Sequence, residues 1–315
     1  MSLEKFLKDL DESVKVVTSS DFEVEIIETN FVPSFLDADI TYDNLDTKKK
    51  KCKRLESCVL YVDIRNSAKI SAERQPETLA KMYSSFVRTM ISCARYHNGH
   101  VRNIVGDRVM VVFDKEKCFE NAIHTAILMN SVCQYILNKR IKTFEFRAGI
   151  GIDYGKMLIT KSGAIRQGDE KEFYRSLVWL GKPANIASRL TDLAHKTEYY
   201  NVSLIRQGNY FPSIDEWCWQ NKSYEQFIDD LETIGSRMLI HKDENFCAFF
   251  KRHMIRTESH SPILITKSVF DGFRKAMPND ESIKNNWWSK QNLKVRDYDG
   301  DVYGGNIIFS VIEEL

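Results

Sequence analysis

The order of apolar segments between residues 57 and 152 constrains the fold most. SCVLYVDI, residues 57–64, is a short, β-branched apolar run that ends in an acid, which predicts a buried strand with Asp63 at its C-terminal edge. After it the pattern predicts a helix from Pro76 to Gly99, two strands over His100–Phe113 around a Gly106-Asp107 turn, a helix over 117–139 and a strand over Phe144–Ile152. This order predicts an α+β, ferredoxin-like (split βαβ) domain, whose antiparallel-rich central sheet is flanked by helices.

The rest of the chain adds elements to this core. Residues 1–56 are interpreted as an N-terminal extension and 57–315 as the main domain, with an insertion of one or two helices at 197–260. The remaining predicted elements are a turn at Gly155 into a strand over Lys156–Thr160, a loop over 161–171, strands over Glu172–Leu180 and Pro262–Thr266, helices over Pro183–His195 and Lys267–Ala276, and a terminal hairpin over 293–313 around Asp299-Gly300.

Charge and composition exclude several classes of protein. The 45 Lys and Arg against 44 Asp and Glu give a net charge of +1, whereas a dedicated nucleic-acid-binding protein is usually far more basic. Apolar runs such as Val109–Phe113 are too short for a membrane helix, and the N-terminus lacks the features of a signal peptide. The seven cysteines show no CxxC spacing, which favours reduced thiols and a cytoplasmic location.

A lysine-rich run, residues 48–54, allows two interpretations. Such a run binds phosphate-rich surfaces in some proteins. The favoured interpretation is a solvated connector, whose charge is shielded by the acidic residues just before it.

Asp63 and Asp107 are the leading candidates for chemistry. Each ends or turns a strand in apolar surroundings, and neighbouring strands bring them together. Two converging carboxylates repel each other unless cations lie between them, and Mg²⁺ or Mn²⁺ prefers such oxygen ligands together with substrate phosphates. The alternative is structural, with Asp63 as a cap and Asp107 as a turn residue. The strand-to-helix loop through Asn66 and Ser67 offers backbone N–H groups to phosphate.

Four segments in succession resemble the signatures of the class III nucleotidyl cyclase catalytic domain. They are YVDIRNSAKIS, NIVGDRVMVVF, FRAGIGIDYG and LVWLGKPANIASRL, and residues 262–313 are similar to that domain's closing strands. The resemblance implies a homodimer with active sites at the interface. It also implies conversion of a nucleoside triphosphate to a 3′,5′-cyclic monophosphate and pyrophosphate.

The resemblance also implies roles for individual residues. Asp63 and Asp107 match the acids that bind two Mg²⁺ or Mn²⁺ ions, and Ile64 matches the residue that supplies a backbone carbonyl ligand. Arg147 matches an arginine that holds the triphosphate. Asn185 and Arg189 match a pair, contributed by the other subunit, that orients the ribose and stabilises the transition state.

Two positions depart from the purine cyclases. Asn103 stands where those enzymes carry a lysine, and Val178 stands where they carry a polar base-reading residue. Loss of both polar groups weakens purine selectivity, and Tyr61, Trp179 and Arg102 are bulky enough to narrow the pocket. The combination resembles bacterial pyrimidine cyclases of Pycsar-type antiphage signalling, whose product acts through a separate effector. The Asn103 amide can pair with uracil or cytosine, and UTP is favoured over CTP.

Several alternatives remain. One is a purine cyclase with atypical base contacts, and another is a catalytically silent nucleotide-binding module. A diguanylate cyclase shares this kind of fold, but Gly304-Gly305-Asn306 lacks the acids of its signature. Lys294 and Arg296 both lie where cyclases place a late phosphate-binding lysine, and the sequence does not decide between them.

Overall fold

The structure, a computed structural model, describes residues 2–142, 144–163, 175–235 and 238–314. The chain forms two compact units, Met1–Lys196 with His260–Leu315 and Thr197–Ser259. Up to the second unit the elements are α1 (Leu3–Val17), β1 (Glu23–Thr29), β2 (Lys49–Ile64), α2 (Ser67–Glu73), α3 (Pro76–Tyr96), β3 (Gly99–Val105), β4 (Arg108–Phe113), α4 (Cys118–Val132), a π-helical turn (Cys133–Leu137), α5 (Asn138–Arg140), β5 (Ala148–Gly163), β6 (Arg175–Leu180) and α6 (Lys182–Leu193).

The second unit and the C-terminal segment complete the chain. The second unit holds β7 (Thr197–Phe211), β8 (Glu216–Lys222), α7 (Tyr224–Asp229), β9 (Leu231–Ile234), β10 (Met238–His241) and β11 (Phe246–Ser259). The C-terminal segment holds β12 (Ile263–Thr266), α8 (Lys267–Ala276), α9 (Glu281–Lys284), β13 (Ser289–Gln291), β14 (Val302–Gly305) and a 3₁₀ helix (Ser310–Glu314).

The sheet of the first unit confirms the predicted α+β, ferredoxin-like architecture. Its strands lie in the order β13-β14-β12-β5-β2-β4-β3, with β1 beside β2 and β6 beside β5. Within it, each strand of the series β5-β2-β4-β3 is antiparallel to its neighbour, and the chain visits them as strand, helix, strand, strand, helix, strand. The mixed sheet also contains the parallel pairs β1–β2 and β5–β12.

Alternation along β2 divides the core between two faces of the sheet. Leu60 and Val62 point into a cluster that includes Phe86 of α3 and residues of α4, whereas Val59 packs with Ala187 of α6 on the other face. Successive side chains of a strand point to opposite faces, so a run that is apolar throughout is expected where both faces are covered. Asp63 and Tyr61 have the same parity as Val59 and lie on the α6 side.

A glycine lets α6 pack directly on β5. A Cβ added at Gly151 would lie 2.3 Å from the carbonyl oxygen of Ala187 and 2.4 Å from the amide nitrogen of Thr191, both backbone atoms of α6. The Thr191 hydroxyl donates to the carbonyl of Tyr61 at 3.1 Å, which holds this end of the helix against β2. Only glycine, which has no Cβ, allows two backbones to approach this closely.

We expect Gly151→Ala to destabilise the protein by roughly 1–3 kcal/mol or more, because the added methyl group forces α6 away from the sheet. Chemical denaturation monitored by circular dichroism measures the change. Ser84→Ala, on the exposed face of α3, is the control and should stay within about 0.5 kcal/mol of wild type. A free energy of unfolding as high as that of the control would contradict the packing argument.

The prediction of a turn at Gly155 was wrong. Strand β5 continues from Ala148 to Gly163, and Gly155 pairs in register with Ser57 of β2. The turn was inferred from the glycine alone, whereas the long partner strand β2 extends the pairing past it. Of the predicted loop and the strand after it, residues 164–174 lie outside the described part of the chain, and Arg175–Leu180 is a strand.

The lysine-rich run is a strand rather than a connector. Strand β2 begins at Lys49 instead of the predicted Ser57, and its first half pairs with the acidic strand β1 in parallel. Lys49 pairs with Glu23 at 3.0 Å across the two strands. The expected shielding by preceding acids is confirmed, because Lys53 contacts Asp37 at 2.7 Å. The charge of the run is therefore largely balanced within its own unit.

The second unit is mostly β rather than helical. Strands β11-β7-β8 form one antiparallel sheet and β9–β10 a hairpin, while α7 is the helix described in this unit. The sheet carries the aromatic residues that gave the segment its irregular composition, including Trp217 stacked on Trp219 at 5.5 Å between ring centroids. Helix α7 agrees with the predicted one or two helices, but the strands around it were not predicted. Aromatic residues favour strands, which fits this composition.

The C-terminal hairpin also differs from its prediction. Strands β13 and β14 pair antiparallel, but they cover only Ser289–Gln291 and Val302–Gly305. Asp299-Gly300 lies in the long connection between them, and the last described residues form a 3₁₀ helix. Within the described ranges, no helix combines the length and apolar composition needed to cross a membrane.

Candidate active site

The structure brings Asp63 and Asp107 together at one end of the sheet. Val62 of β2 pairs with Val109 of β4, so Asp63 lies next to the last residue of one strand and Asp107 lies in the turn just before the other. The backbone N–H of Ile64 donates to Asp107 Oδ2 at 3.2 Å. The Gly106-Asp107 turn that the sequence predicts lies between β3 and β4 and delivers this carboxylate to the end of β2.

The two carboxylates influence each other. Burial and the adjacent Asp63 raise the pKa of Asp107 from 3.8 to about 6, and a hydrogen bond from Ser67 offsets part of the rise. The Asp63 side chain is only 15% exposed, so solvent screens this repulsion weakly. A cation bound between these two partly buried carboxylates would relieve their repulsion.

The donor atoms fit a hard divalent cation. Asp63 Oδ1 is buried and has no hydrogen-bond partner among the described residues, which leaves one carboxylate oxygen for a ligand. Among those same residues, no group of three or more His, Cys, Asp or Glu side chains converges. A cation held by Asp63 and Asp107 would therefore take further oxygens from the backbone, such as that of Ile64, from water or from substrate phosphates.

Two arginines that the sequence reasoning did not assign surround Asp63. Arg108 donates to Asp63 Oδ2 from Nη2 at 2.7 Å and from Nε at 3.2 Å. Arg65 Nη2 lies 3.8 Å from the same oxygen. Burial would lower the pKa of Arg108, but its pairing with Asp63 and Asp192 raises it. The available signal was their position in the chain: Arg108 directly follows Asp107, and Arg65 lies two residues after Asp63.

The strand-to-helix loop places Asn66 and Ser67 beside this site. Asn66 has a left-handed backbone, φ 60° and ψ 25°, which asparagine tolerates better than most residues, and it immediately precedes α2. Ser67 contacts Asp107 as described above. The Arg147 carbonyl accepts the N–H of Arg65 at 2.7 Å, so Arg147, just before β5, lies next to the end of β2. Its guanidinium is half-exposed and pairs with Glu145 at 2.9 Å.

Asn185 and Arg189 lie one turn apart on α6. Asn185 is exposed, and Arg189 pairs with Asp297 at 2.6 Å and donates to the carbonyl of Arg296. Within the described ranges, no hydrogen bond or ion pair joins either residue to Asp63 or Asp107 of the same chain. The Arg296 side chain is 84% exposed and Lys294 is also exposed, so neither is singled out as a phosphate ligand.

The predicted base-reading residues are only partly brought together. Tyr61 packs with Trp179 and Leu177 against one core cluster, and burial raises the pKa of the Tyr61 phenol. Val178 pairs with Thr160 and, by strand alternation, points to the opposite face from Trp179. Asn103 is exposed on β3, next to a register shift that follows Val101. Arg102 is half-buried and donates to the carbonyl of Val32 at 3.4 Å.

Comparison with known proteins gives a consistent picture. Residues 50–203 match the adenylate and guanylate cyclase catalytic domain family. A uridylate cyclase of Burkholderia cepacia is 29% identical over 205 residues, covering 62% of this chain and 83% of the relative. A uridylate cyclase of Gulbenkiania mobilis is 26% identical over 215 residues, covering 63% and 78%. A cytidylate cyclase of Staphylococcus aureus is 31% identical over 106 residues, covering 31% and 25%.

The matched segment contains every residue of the candidate site up to α6. It begins at residue 50, within β2, and ends at residue 203, after the helix that carries Asn185 and Arg189. The paired acids Asp63 and Asp107 lie inside it at the end of the ferredoxin-like sheet. Residues 50–203 therefore form a class III nucleotidyl cyclase catalytic domain.

Proposed function

We propose that the protein is a pyrimidine nucleotide cyclase that converts UTP to 3′,5′-cyclic UMP and pyrophosphate. The observation that carries the proposal is the pairing of Asp63 with Asp107 inside the cyclase domain, where Asn103 and Val178 occupy the positions at which purine cyclases read the base. The relatives named uridylate cyclase support the choice of a pyrimidine.

The acids and the neighbouring basic residues divide the work of the reaction. Asp63, Asp107 and the carbonyl of Ile64 would hold two Mg²⁺ or Mn²⁺ ions. These ions would lower the pKa of the 3′-hydroxyl and neutralise the charge of the leaving pyrophosphate. Arg147 holds the triphosphate, and backbone N–H groups of the loop at Asn66 and Ser67 add donors. These groups hold the α-phosphate in place for attack by the 3′-oxygen.

Asn185 and Arg189 act in the active site of a second copy of the chain. Asn185 orients the ribose, and Arg189 stabilises the charge that builds on the α-phosphate in the transition state. The absence of contacts from either residue to the acids of the same described chain supports a shared, homodimeric site. Arg189 has to exchange its contact with Asp297 for the substrate, and the exposure of Asp297 makes that exchange inexpensive.

The base is read by neutral groups. The Asn103 amide offers both a donor and an acceptor, so it can pair with uracil or cytosine, while Val178 adds no polar group that would select a purine. UTP is favoured over CTP because the relatives with the longer matches are named uridylate cyclase and the named cytidylate cyclase matches over a shorter segment.

The cyclic nucleotide is proposed to act as a second messenger in antiphage defence, read by a separate effector protein. Support for this role comes from the resemblance to Pycsar-type cyclases. Infecting cells that carry the intact gene, or the Asp107→Asn variant, and measuring cyclic nucleotides together with phage yield tests it. Equal phage yield from the two strains would count against the role.

Incubating the purified protein with ATP, GTP, CTP and UTP separately, with Mn²⁺, and identifying the products by mass spectrometry tests the activity. Cyclic UMP as the main product is the expected result. Cyclic CMP would correct the base assignment, and cyclic AMP or GMP would overturn the pyrimidine argument while leaving a cyclase. No product from any substrate, in the presence or absence of extract from infected cells, would favour a nucleotide-binding module without turnover.

The raised pKa of Asp107 predicts that metal binding depends on pH. Below about pH 6 this carboxyl is protonated in the metal-free protein, and a divalent cation has to displace the proton. We therefore expect the affinity for Mn²⁺, measured by electron paramagnetic resonance without nucleotide, to fall about tenfold between pH 7.5 and pH 5. An affinity that is constant over this range would show that Asp107 is not a ligand.

The same shift predicts the sign of a stability change. A carboxyl whose pKa rises from 3.8 to about 6 on folding favours the folded state below the lower value, and this contribution is lost as the pH rises toward 6. The metal-free wild type should thus lose stability relative to Asp107→Asn between pH 4 and pH 6. Thermal melts of both proteins over that range measure the difference.

A further inference from the structure

Arg108 connects the candidate metal acid to helix α6. Its guanidinium donates to Asp63 Oδ2 from two nitrogens, at 2.7 and 3.2 Å, and Nη1 donates to the hydroxyl of Ser188 at 3.0 Å. Nη2 also contacts the Asp192 carboxylate. Ser188 and Asp192 lie one turn apart on the same face of α6, so a single side chain joins β4, the end of β2 and that helix.

These contacts determine how Asp63 presents its carboxylate. Arg108 occupies Oδ2, while Oδ1 is buried without a hydrogen-bond partner among the described residues. A charged group that holds one oxygen leaves the other oriented for a ligand, as outer-shell partners do at metal sites. The positive charge also compensates the Asp63 carboxylate before a cation arrives.

A second arginine strengthens the same connection. Arg65 Nη1 donates to the backbone carbonyl of Asp192 at 3.1 Å, near the C-terminal end of α6. Its guanidinium lies against β5 so closely that a Cβ at Gly149 would be 2.7 Å from it. Because Arg65 is 13% exposed and is confined by this packing, it holds the end of α6 in a fixed position.

Helix α6 also carries the residues proposed to complete the other active site of the dimer. Arg189 follows Ser188 directly, and Asn185 lies one turn earlier. A shift of this 12-residue helix moves all four side chains together, since its hydrogen-bonded backbone is rigid on this scale. A displacement of about 1 Å at a reacting centre is enough to cost a hundredfold in rate.

We propose that Arg108 is a positioning residue that couples the two active sites of the dimer. It orients the metal-binding carboxylate of its own subunit and, through Ser188 and Asp192, fixes the helix that serves the partner's site. The inference rests on the proposed function, because it requires sites shared between two copies. A structural role alone would affect stability without linking metal affinity to turnover at the other site.

Heterodimers with one functional site test the coupling. One subunit carries Arg189→Ala and supplies intact acids, and the other carries Asp107→Asn and supplies an intact α6. Two tags allow the mixed dimer to be isolated. Asp107→Asn inactivates its metal site while leaving the contact between Arg108 and Asp63 in place. Arg108→Gln is then introduced into either subunit.

We expect both placements to lower turnover by at least about tenfold. Loss only when Arg108→Gln is in the subunit that supplies the acids would overturn the coupling and leave a local role. No loss in either placement would overturn the proposal entirely. An inactive parent heterodimer, before Arg108 is changed, would instead refute the shared site of the proposed function and the coupling that depends on it.

Metal binding without nucleotide tests the hold on Asp63 independently of turnover. Arg108→Lys keeps the charge but cannot reach three acceptors at once, and we expect it to weaken Mn²⁺ binding by about 10- to 100-fold. Asp192→Ala removes one of the two side-chain contacts between Arg108 and α6 and keeps the contact with Asp63. It should leave Mn²⁺ affinity within about threefold of wild type while lowering turnover. Arg88→Gln, an exposed position of α3, is the matched control.

Melting temperature and dimer fraction are measured for every variant, so a loss of folding is recognised. Unchanged Mn²⁺ affinity in a folded Arg108→Lys protein would refute the orienting role. If Asp192→Ala weakened Mn²⁺ binding as much as Arg108→Lys does, the contact between Arg108 and Asp192 would also act on the metal site. That outcome would refute the proposal that this contact serves to fix α6.

Discussion

Asp63→Asn and Asp107→Asn are each expected to abolish cyclic nucleotide formation while leaving the proposed homodimer assembled. Asparagine keeps the shape of the side chain but removes the charge that a divalent cation requires. The loss should exceed the 10- to 100-fold that changes to outer-shell residues cost at metal sites. Mass-spectrometric assay of cyclic UMP, with size-exclusion chromatography for the dimer, measures both parts.

The two variants should differ in stability, which distinguishes the loss of a metal ligand from general misfolding. Asp107→Asn removes a carboxylate whose ionisation is unfavourable in the fold, so the metal-free protein should be as stable as wild type or more so at pH 7.5. Asp63→Asn removes one of the two carboxylates that Arg108 contacts and should be less stable. Asp271→Asn, at a half-exposed position of α8 where the side chain pairs with Lys267, is the control.

Turnover within about tenfold of wild type in either Asp variant would refute the assignment of these acids as metal ligands. Removing a direct ligand lowers activity more than removing an outer-shell residue does. An inactive Asp271→Asn control would instead indicate that the preparation or assay is at fault. The alternative of a nucleotide-binding module without turnover predicts no product from the wild-type protein either, so it is distinguished before any variant is made.

Mixing two inactive proteins should restore activity. Asp107→Asn lacks a metal acid and Arg189→Ala lacks the proposed transition-state arginine, yet a heterodimer combines one site that holds both defects with one that holds neither. Statistical exchange makes half of the dimers mixed, each with one intact site, so about a quarter of wild-type activity is expected. Activity is measured after co-refolding or co-expression of differently tagged subunits.

The control for this experiment places both changes in one chain. A double variant mixed with wild type forms heterodimers in which each site carries one defect, and these should be inactive. If the two single variants stay inactive although native mass spectrometry shows subunit exchange, Arg189 acts within its own subunit. In that case the contact between Arg189 and Asp297 would need to be reinterpreted as part of the site.

Local patterns predicted the elements that carry the candidate metal acids. The Gly106-Asp107 turn and the apolar run ending at Asp63 are signals within a few residues, and antiparallel pairing then brings the two acids to one end of the sheet. Helix α8, Lys267–Ala276, has the predicted bounds because its start, its amphipathic face and its end are all encoded locally.

Predictions failed where pairing partners are distant. The glycine at 155 indicates a turn by itself, but β2 pairs along the whole segment and keeps it extended. The aromatic segment 197–260 folds as strands because its residues find partners across β7, β8 and β11. A strand depends on its neighbours in the sheet, whereas a helix satisfies its own backbone.

The sequence by itself determined the family of the catalytic domain, the order of its central strands and the identity of the paired acids Asp63 and Asp107, because each is encoded in a short segment. Only the tertiary structure decided that Arg108 bridges Asp63 to Asp192. These contacts span 45 and 84 residues of chain. No local pattern specifies such a contact, since it exists only after β2, β4 and α6 have packed together.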